Sequence, residues 1–298
     1  MVGPSLTDTW VARAALPCNI VVWLWPVAKS GTVAPFSTGI LMRKLIVGVV
    51  LMISSIAAAA DLRVMISAGF GEAYAELGPM FEGASGHHLI TTRGPSMGDS
   101  PEAIPARIKR GEPVDMVIMV GAAADELIRQ GLARPGSKVD LARSEIGMVV
   151  RAGAARPDIA TIDSFRRVLL EAKSIAYSDS ASGAYLSGIL FAKLGVADQI
   201  LGKSRKVKGP PSGEPVAAVV ARGESEIGFQ QVSELIHVPG VAFVGPIPRE
   251  LQLETLYSAA LASPVKQIEA ANDFIRFLAS RQAAPSMARS GLVPLTTR

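Results

Sequence analysis

The chain has 298 residues and a formal net charge of +4, yet four of its 30 basic residues and one of its 26 acidic ones precede Asp61. The 238 residues from Asp61 onward are therefore close to neutral, with no basic tail, which excludes nucleic acid as a partner. The only cysteine, Cys18, lies in the first 41 residues, so the rest has neither a disulfide framework nor a thiolate metal site and is held by its core alone.

All three tryptophans (Trp10, Trp23, Trp25) also fall in the first 41 residues. Residues 1–41 show no clear periodicity and are read as a mis-called N-terminal extension, with Met42 as the true start. Residues 42–60 read as a signal peptide. Arg43 and Lys44 form a short positive region, Leu45 to Ile56 an apolar stretch of about a dozen residues, and Ala57 to Ala60 the small residues that precede cleavage. A membrane anchor needs about 20 apolar residues, which this segment reaches only if every alanine is counted. Export to the periplasm is expected.

From Leu62 the chain alternates short apolar runs with amphipathic stretches. Strands are predicted at 62–66, 89–92 and 116–120, and helices at 72–81, 103–110 and 123–130, the last two ended by Gly111 and Gly131. A second set starts at Ile146 and continues through 165–172, 174–177, 185–194, 216–222 and 227–230. Strands at 242–244 and 255–262 and an amphipathic helix at 268–280 close the chain. This order predicts an α/β fold of two lobes, each a mainly parallel sheet covered by helices, with a ligand cleft between them. Residues 61–143 with 241–298 are assigned to lobe 1 and 144–240 to lobe 2, because chain ends tend to lie close together.

In parallel α/β units ligands bind where strands end and helices begin, and free N–H groups there favour an anion. Four such turns are rich in small or hydroxyl residues: Ser67 to Gly71, Arg93 to Ser100, Ser178 to Gly183, and Pro210 to Glu214. They supply Ser67, Gly69, Phe70, Ser96, Ser182, Gly183 and Gly213 as candidate ligand-lining residues, with Tyr185 opening the helix after the third turn. Each turn alone is also what an ordinary helix cap looks like. Arg93 suits a carboxylate, which a guanidinium grips in a two-point fork. Asp99, Asp179 and Glu214 border the turns and either offset Arg93 or face outward as caps.

The stretch Leu62 to Phe70, the Gly111-Glu112-Pro113-Val114-Asp115 turn before a buried strand, Ile227-Gly228-Phe229 and the 274–278 helix followed by Gly291 resemble the periplasmic molybdate-binding proteins of ABC importers and the wider bacterial solute-binding group. The resemblance implies a type II-like periplasmic binding fold that closes on a small anion, most simply molybdate or another tetrahedral oxyanion, and hands it to an ABC permease in the inner membrane as a monomer. Carried over by residue, a family serine falls at Gly69, with Ser67 two positions earlier, and a second at Ser96. Backbone donors fall at Ser182 and near Gly213, and the family tyrosine falls at Gln231. One serine and the tyrosine are thus replaced, which leaves a small carboxylate as the alternative ligand and a ligand-sensing subunit as an alternative role.

Catalysis needs a base or nucleophile within reach of an orienting partner. The three histidines are His87, His88 and His237. The first two precede a strand at the end away from the ligand turns, and His237 sits beside Pro239-Gly240 in a loop. No Gly-x-Ser-x-Gly elbow or zinc spacing occurs. The chain is therefore expected to be a binding protein, not an enzyme, with no cofactor or metal.

Overall fold

The computed structural model describes residues 59–98 and 100–295, all within one unit, 57–298. The extension, most of the signal segment, and Asp99 lie outside the described residues. The first sheet contains β1 (Asp61–Ile66), β2 (His88–Arg93), β3 (Met116–Val120), β4 (Val139–Ser144), β10 (Thr255–Leu261) and β11 (Val293–Pro294), in the order β11-β4-β10-β3-β1-β2. The second contains β5 (Ile146–Arg151), β6 (Ile175–Ser178), β7 (Ser204–Val207), β8 (Ile227–Gln231) and β9 (Val241–Pro246), in the order β7-β6-β8-β5-β9. Helices α1 (Gly71–Ser85), α2 (Ile104–Lys109) and α3 (Gly121–Arg129) belong to the first set of crossovers. In the second lobe lie α4 (Ile162–Glu171), α5 (Ala181–Tyr185, continued through a π-helical turn to Lys193), α6 (Ala197–Ile200), α7 (Val216–Ala221) and α8 (Val232–Leu235). The chain ends in the first lobe with α9 (Ile268–Leu278) and α10 (Ala284–Arg289).

Period-two alternation explains why the central strands are apolar throughout. Leu62, Val64 and Ile66 of β1 and Met116 and Ile118 of β3 pack on the α1, α9 side. Met65, Val117 and Met119, the residues between them, pack on the α2, α3 side. Helix α9 buries Ala270, Ala271, Phe274, Ile275 and Leu278, one stripe at helical spacing. Its Phe274 ring meets that of Phe81 with centroids 4.6 Å apart. The second lobe has its own core around Phe165, Phe191 and Phe229.

Two expectations are corrected. The sheets are mixed, not mainly parallel: β1 pairs with β2 and β3 in parallel, but β10 runs antiparallel to both β3 and β4, and β5 runs antiparallel to β8 and β9. A strand that enters from the other lobe starts at the edge where the parallel strands end. Ile146 pairs with Gln231 at the end of β8, and Tyr257 with Val120 at the end of β3, so β5 and β10 must run backwards. The second correction concerns residues 241–254. β9 pairs with β5 in the second sheet, and Ile247 and Leu251 pack in that lobe's core. The chain runs back along β9 to the hinge edge before it crosses, so the return lies beyond Leu251, not at 241.

The two crossings are tied to each other. The Gln252 amide donates to Ile146 O at 2.8 Å and Ile247 O at 3.1 Å, and its oxygen accepts from Ile146 N–H at 2.9 Å. Asp115, from the Gly111–Asp115 turn, is 2% exposed. Its carboxylate accepts from the N–H groups of Arg63, Lys266 and Gln267 at 2.9, 2.9 and 3.1 Å, joining β1 to the approach of α9.

Candidate functional site

The ends of β1, β3, β6 and β8 meet the start of β10 at the lobe junction and enclose an inner cavity of about 40 Å³. Ser67, Gly69, Ser96, Val120 and Tyr257 line it from one lobe, and Ser178, Asp179, Ser180, Gln230, Gln231 and Glu234 from the other. An adjoining outer cavity of about 210 Å³ shares Ala68, Pro210 and Glu234 with it and adds Gly71, Glu72, Arg93, Ser233 and His237. A water needs about 10–15 Å³, so the inner cavity of about 40 Å³ holds about three or four waters, and a larger ligand needs the outer space or a more open junction.

The polar groups of the inner cavity are prepared for a guest. The Ser67 hydroxyl is buried and has no partner among the described residues. Ser96 Oγ accepts from Val120 N–H at 3.0 Å, which leaves its proton available to donate. Gln231 donates its amide to Thr255 Oγ1 at 2.9 Å while its buried oxygen has no partner. An amide is free to exchange the two ends, and the turned form presents NH2 to the cavity. The Ser178, Ser180 and Ser182 hydroxyls cluster at 2.7 to 3.4 Å from one another. No Lys, Arg or His lines the inner cavity among the described residues.

Glu234 is the chemically distinctive group. Gln230 holds it: the Gln230 oxygen accepts from Val216 N–H at 3.1 Å, and this fixes its NH2 toward the Glu234 carboxylate. Glu234 as a residue is half-buried, but its carboxyl end is enclosed. Burial pushes its pKa up to about 7, the Gln230 bond opposes that rise, and the Asp179 charge adds to it. Asp179 itself accepts from Gly209 N–H at 3.1 Å. Burial, and secondly the Glu234 charge, raise the Tyr257 phenol well above its usual range, so it stays a neutral donor. A Cβ on Gly69 would lie 1.7 Å from Tyr257 Oη, so only glycine lets the phenol reach the cavity here.

The structure brings together Ser67, Gly69, Ser96 and Gln231, and sets Arg93 in the adjoining cavity. Phe70, Ser182, Gly183, Tyr185 and Gly213 line neither cavity. Phe70 is a core residue. Ser182 is 1% exposed behind Ser178 and Ser180, and a Cβ on Gly183 would fall 1.6 Å from Ser178 O. Tyr185 donates to Leu251 O at 3.0 Å. Gly213 packs against Lys208 O in the loop that carries Gly209 and Pro210 to the cavity, and Glu214 pairs with Arg222 away from it. His87 is buried, with Nδ1 accepting from Ala60 N–H at 3.2 Å. Residue-by-residue reading missed Glu234, Tyr257, Ser178 and Gln230 as lining groups. The signal for Glu234 was a charged residue in the first turn after a strand end.

The lobes also touch directly. Ser233 Oγ on α8 donates to Gly69 O at 2.7 Å.

Comparison with known proteins places this geometry in context. The sequence profile described as bacterial extracellular solute-binding protein matches residues 62–293. A curated Pseudomonas relative named aconitate isomerase is 47% identical over 234 residues, which is 78% of this chain and 88% of the relative. Among solved structures, the periplasmic molybdate-binding protein of Azotobacter vinelandii superposes with a TM-score of 0.63 at 21% identity, over 78% of this chain and 98% of that one. The substrate-binding domain of a molybdenum ABC transporter from Clostridium difficile gives 0.61 at 19% identity, over 80% and 100%. At these identities the solved structures establish the two-lobed fold. The expectation of a chain without enzyme activity is corrected by the Pseudomonas relative, which is named for a reaction.

Proposed function

We propose a function from this premise: the chain belongs to the family of bacterial extracellular solute-binding proteins. It uses the family's interlobe cavity to isomerise aconitate, an unsaturated six-carbon tricarboxylate, outside the cytoplasm. The observation that carries this reading is the 47% identical relative named aconitate isomerase. A buried carboxyl poised near pH 7 inside the cavity supports it.

Aconitate has a methylene carbon beside a carbon–carbon double bond, and either isomer converts to the other by moving one proton. A base removes a methylene proton, the electron pair shifts so that the double bond migrates, and the proton is returned at the former vinyl carbon. Nothing is oxidised or reduced, and no water enters. A reversible addition route would need a strong nucleophile, and no cysteine occurs from Asp61 onward.

Glu234 fits the base: with a pKa near the working pH it both takes and returns a proton readily. As the proton leaves, negative charge spreads onto the conjugated carboxylates. Ser67, Ser96 and Tyr257 are neutral donors that stabilise this charge without competing for the proton. The base and these donors come from opposite lobes, so lobe closure assembles the site and keeps water from the anion.

A carboxylate guest agrees with the alternative raised by Arg93 and Gln231, whereas the likeness to molybdate-binding structures extends to the fold. The same capture step would serve delivery to an ABC permease, and the relative named for an isomerisation favours turnover. Incubating the purified chain with a single aconitate isomer and following the solution by proton NMR tests the reading. Appearance of the second isomer is expected, and tight binding of aconitate with no conversion returns the chain to a capture role.

A further inference from the structure

We propose that the outer cavity is a carboxylate subsite, made by Arg93 of one lobe and His237 of the other, that selects tricarboxylates over dicarboxylates. The inference rests on the isomerase reading and names how its substrate is recognised. A trianion brings more charge than the inner cavity can balance, since that cavity carries Asp179 and Glu234 and no cation among the described residues. The outer cavity begins at Glu234 and supplies two cationic or donor side chains within about 210 Å³. A ligand whose reacting carbons lie at Glu234 extends a terminal carboxylate into this space.

Arg93 is placed for the task by the sheet. It is the last residue of β2, paired with Ile66 at the strand ends that face the cleft. Its Nη1 lies 3.5 Å from where a Cβ on Gly71 would stand. The guanidinium therefore sits at the first residue of the 15-residue α1, where the helix dipole adds to its field. Arg93 forms no ion pair with a described carboxylate, so its fork is available for two-point binding. His237 follows Glu234 by three residues, just past α8, and reaches the same cavity from the opposite wall. Even as a neutral ring it donates one N–H. Glu72 and Glu234 are the carboxylates that line this cavity. Glu72 is exposed to water, so solvent screens it.

Calorimetric titration with two unreactive ligands tests the subsite. Propane-1,2,3-tricarboxylate has the full set of carboxylates, and methylsuccinate lacks one terminal carboxylate. Arg93 and His237 are both exposed, so Arg93→Ala and His237→Ala should leave the fold intact. Each variant is expected to weaken the tricarboxylate by about tenfold or more and methylsuccinate by less than about twofold. Arg93→Lys should fall between wild type and Arg93→Ala on the tricarboxylate, because charge remains and the fork is lost. Equal losses on both ligands, no loss on either, or no wild-type binding of the tricarboxylate overturns the subsite. A parallel assay of aconitate conversion separates the two readings. Conversion with equal losses removes the subsite and keeps the reaction, and selective losses without conversion do the reverse.

Discussion

Burial of the Glu234 carboxyl sets a cost with a definite sign. The ordinary value is 4.5 and the folded value about 7, so the native state keeps the proton that the unfolded chain gives up. Stability from this group is full below about pH 4.5 and is lost as pH rises through about 7. Glu234→Gln should therefore be more stable than wild type above pH 7, by up to about 3 kcal/mol, measured by urea unfolding at pH 8. The same variant should lose about 10²- to 10⁴-fold in turnover, the usual contribution of a positioned acid–base group. Gly69→Ala makes a different prediction. Its methyl would meet the Tyr257 phenol, so turnover should fall at least about tenfold as the donor is displaced, with circular dichroism unchanged at 25 °C.

At the scale of elements, Asp115 joins three backbone N–H groups from two segments far apart in sequence. Asp115→Ala should cost about 3 kcal/mol or more in urea unfolding, since buried donors would be left without an acceptor. The Gly111–Asp115 turn was legible in the sequence as a family feature, and the structure gives it a bracing role. Strands with uniform apolar runs, such as 116–120, were legible to the residue because both faces are buried. β4 (VDLARS) and β7 (SRKV) were not, since their charged residues hide the strand pattern. The 242–244 run was read as a strand but given to the wrong lobe, because an apolar run does not encode its partner. Strand-end turns identified Ser67 and Ser96, and the family resemblance identified Gln231. Tyr257 was invisible to that reasoning because it enters on a strand running the other way, and Glu234 because its chemistry comes from enclosure by residues distant in sequence.

For the whole molecule, the lobes are joined by two crossings, at Glu145 and beyond Leu251, and the contact of α8 with Gly69 holds them together. Ser233→Ala removes the bond to Gly69 O, a loss of about 1 kcal/mol. It should shift the population toward an open form, visible as a larger radius of gyration in small-angle scattering of the ligand-free chain and reversed by propane-1,2,3-tricarboxylate. Closure matters to the chemistry because Glu234 and the Ser67, Ser96 and Tyr257 donors sit on opposite lobes. The central claim is that this closed junction moves a proton on aconitate through Glu234. The pH dependence of kcat/KM for aconitate isomerisation, in wild type and Glu234→Gln, tests it most directly. The account predicts a rate that rises about tenfold per pH unit up to a bend near pH 7 in wild type and is nearly abolished in the variant. A wild-type profile flat from pH 5 to 9 on this scale, or a variant about as fast as wild type, would contradict it.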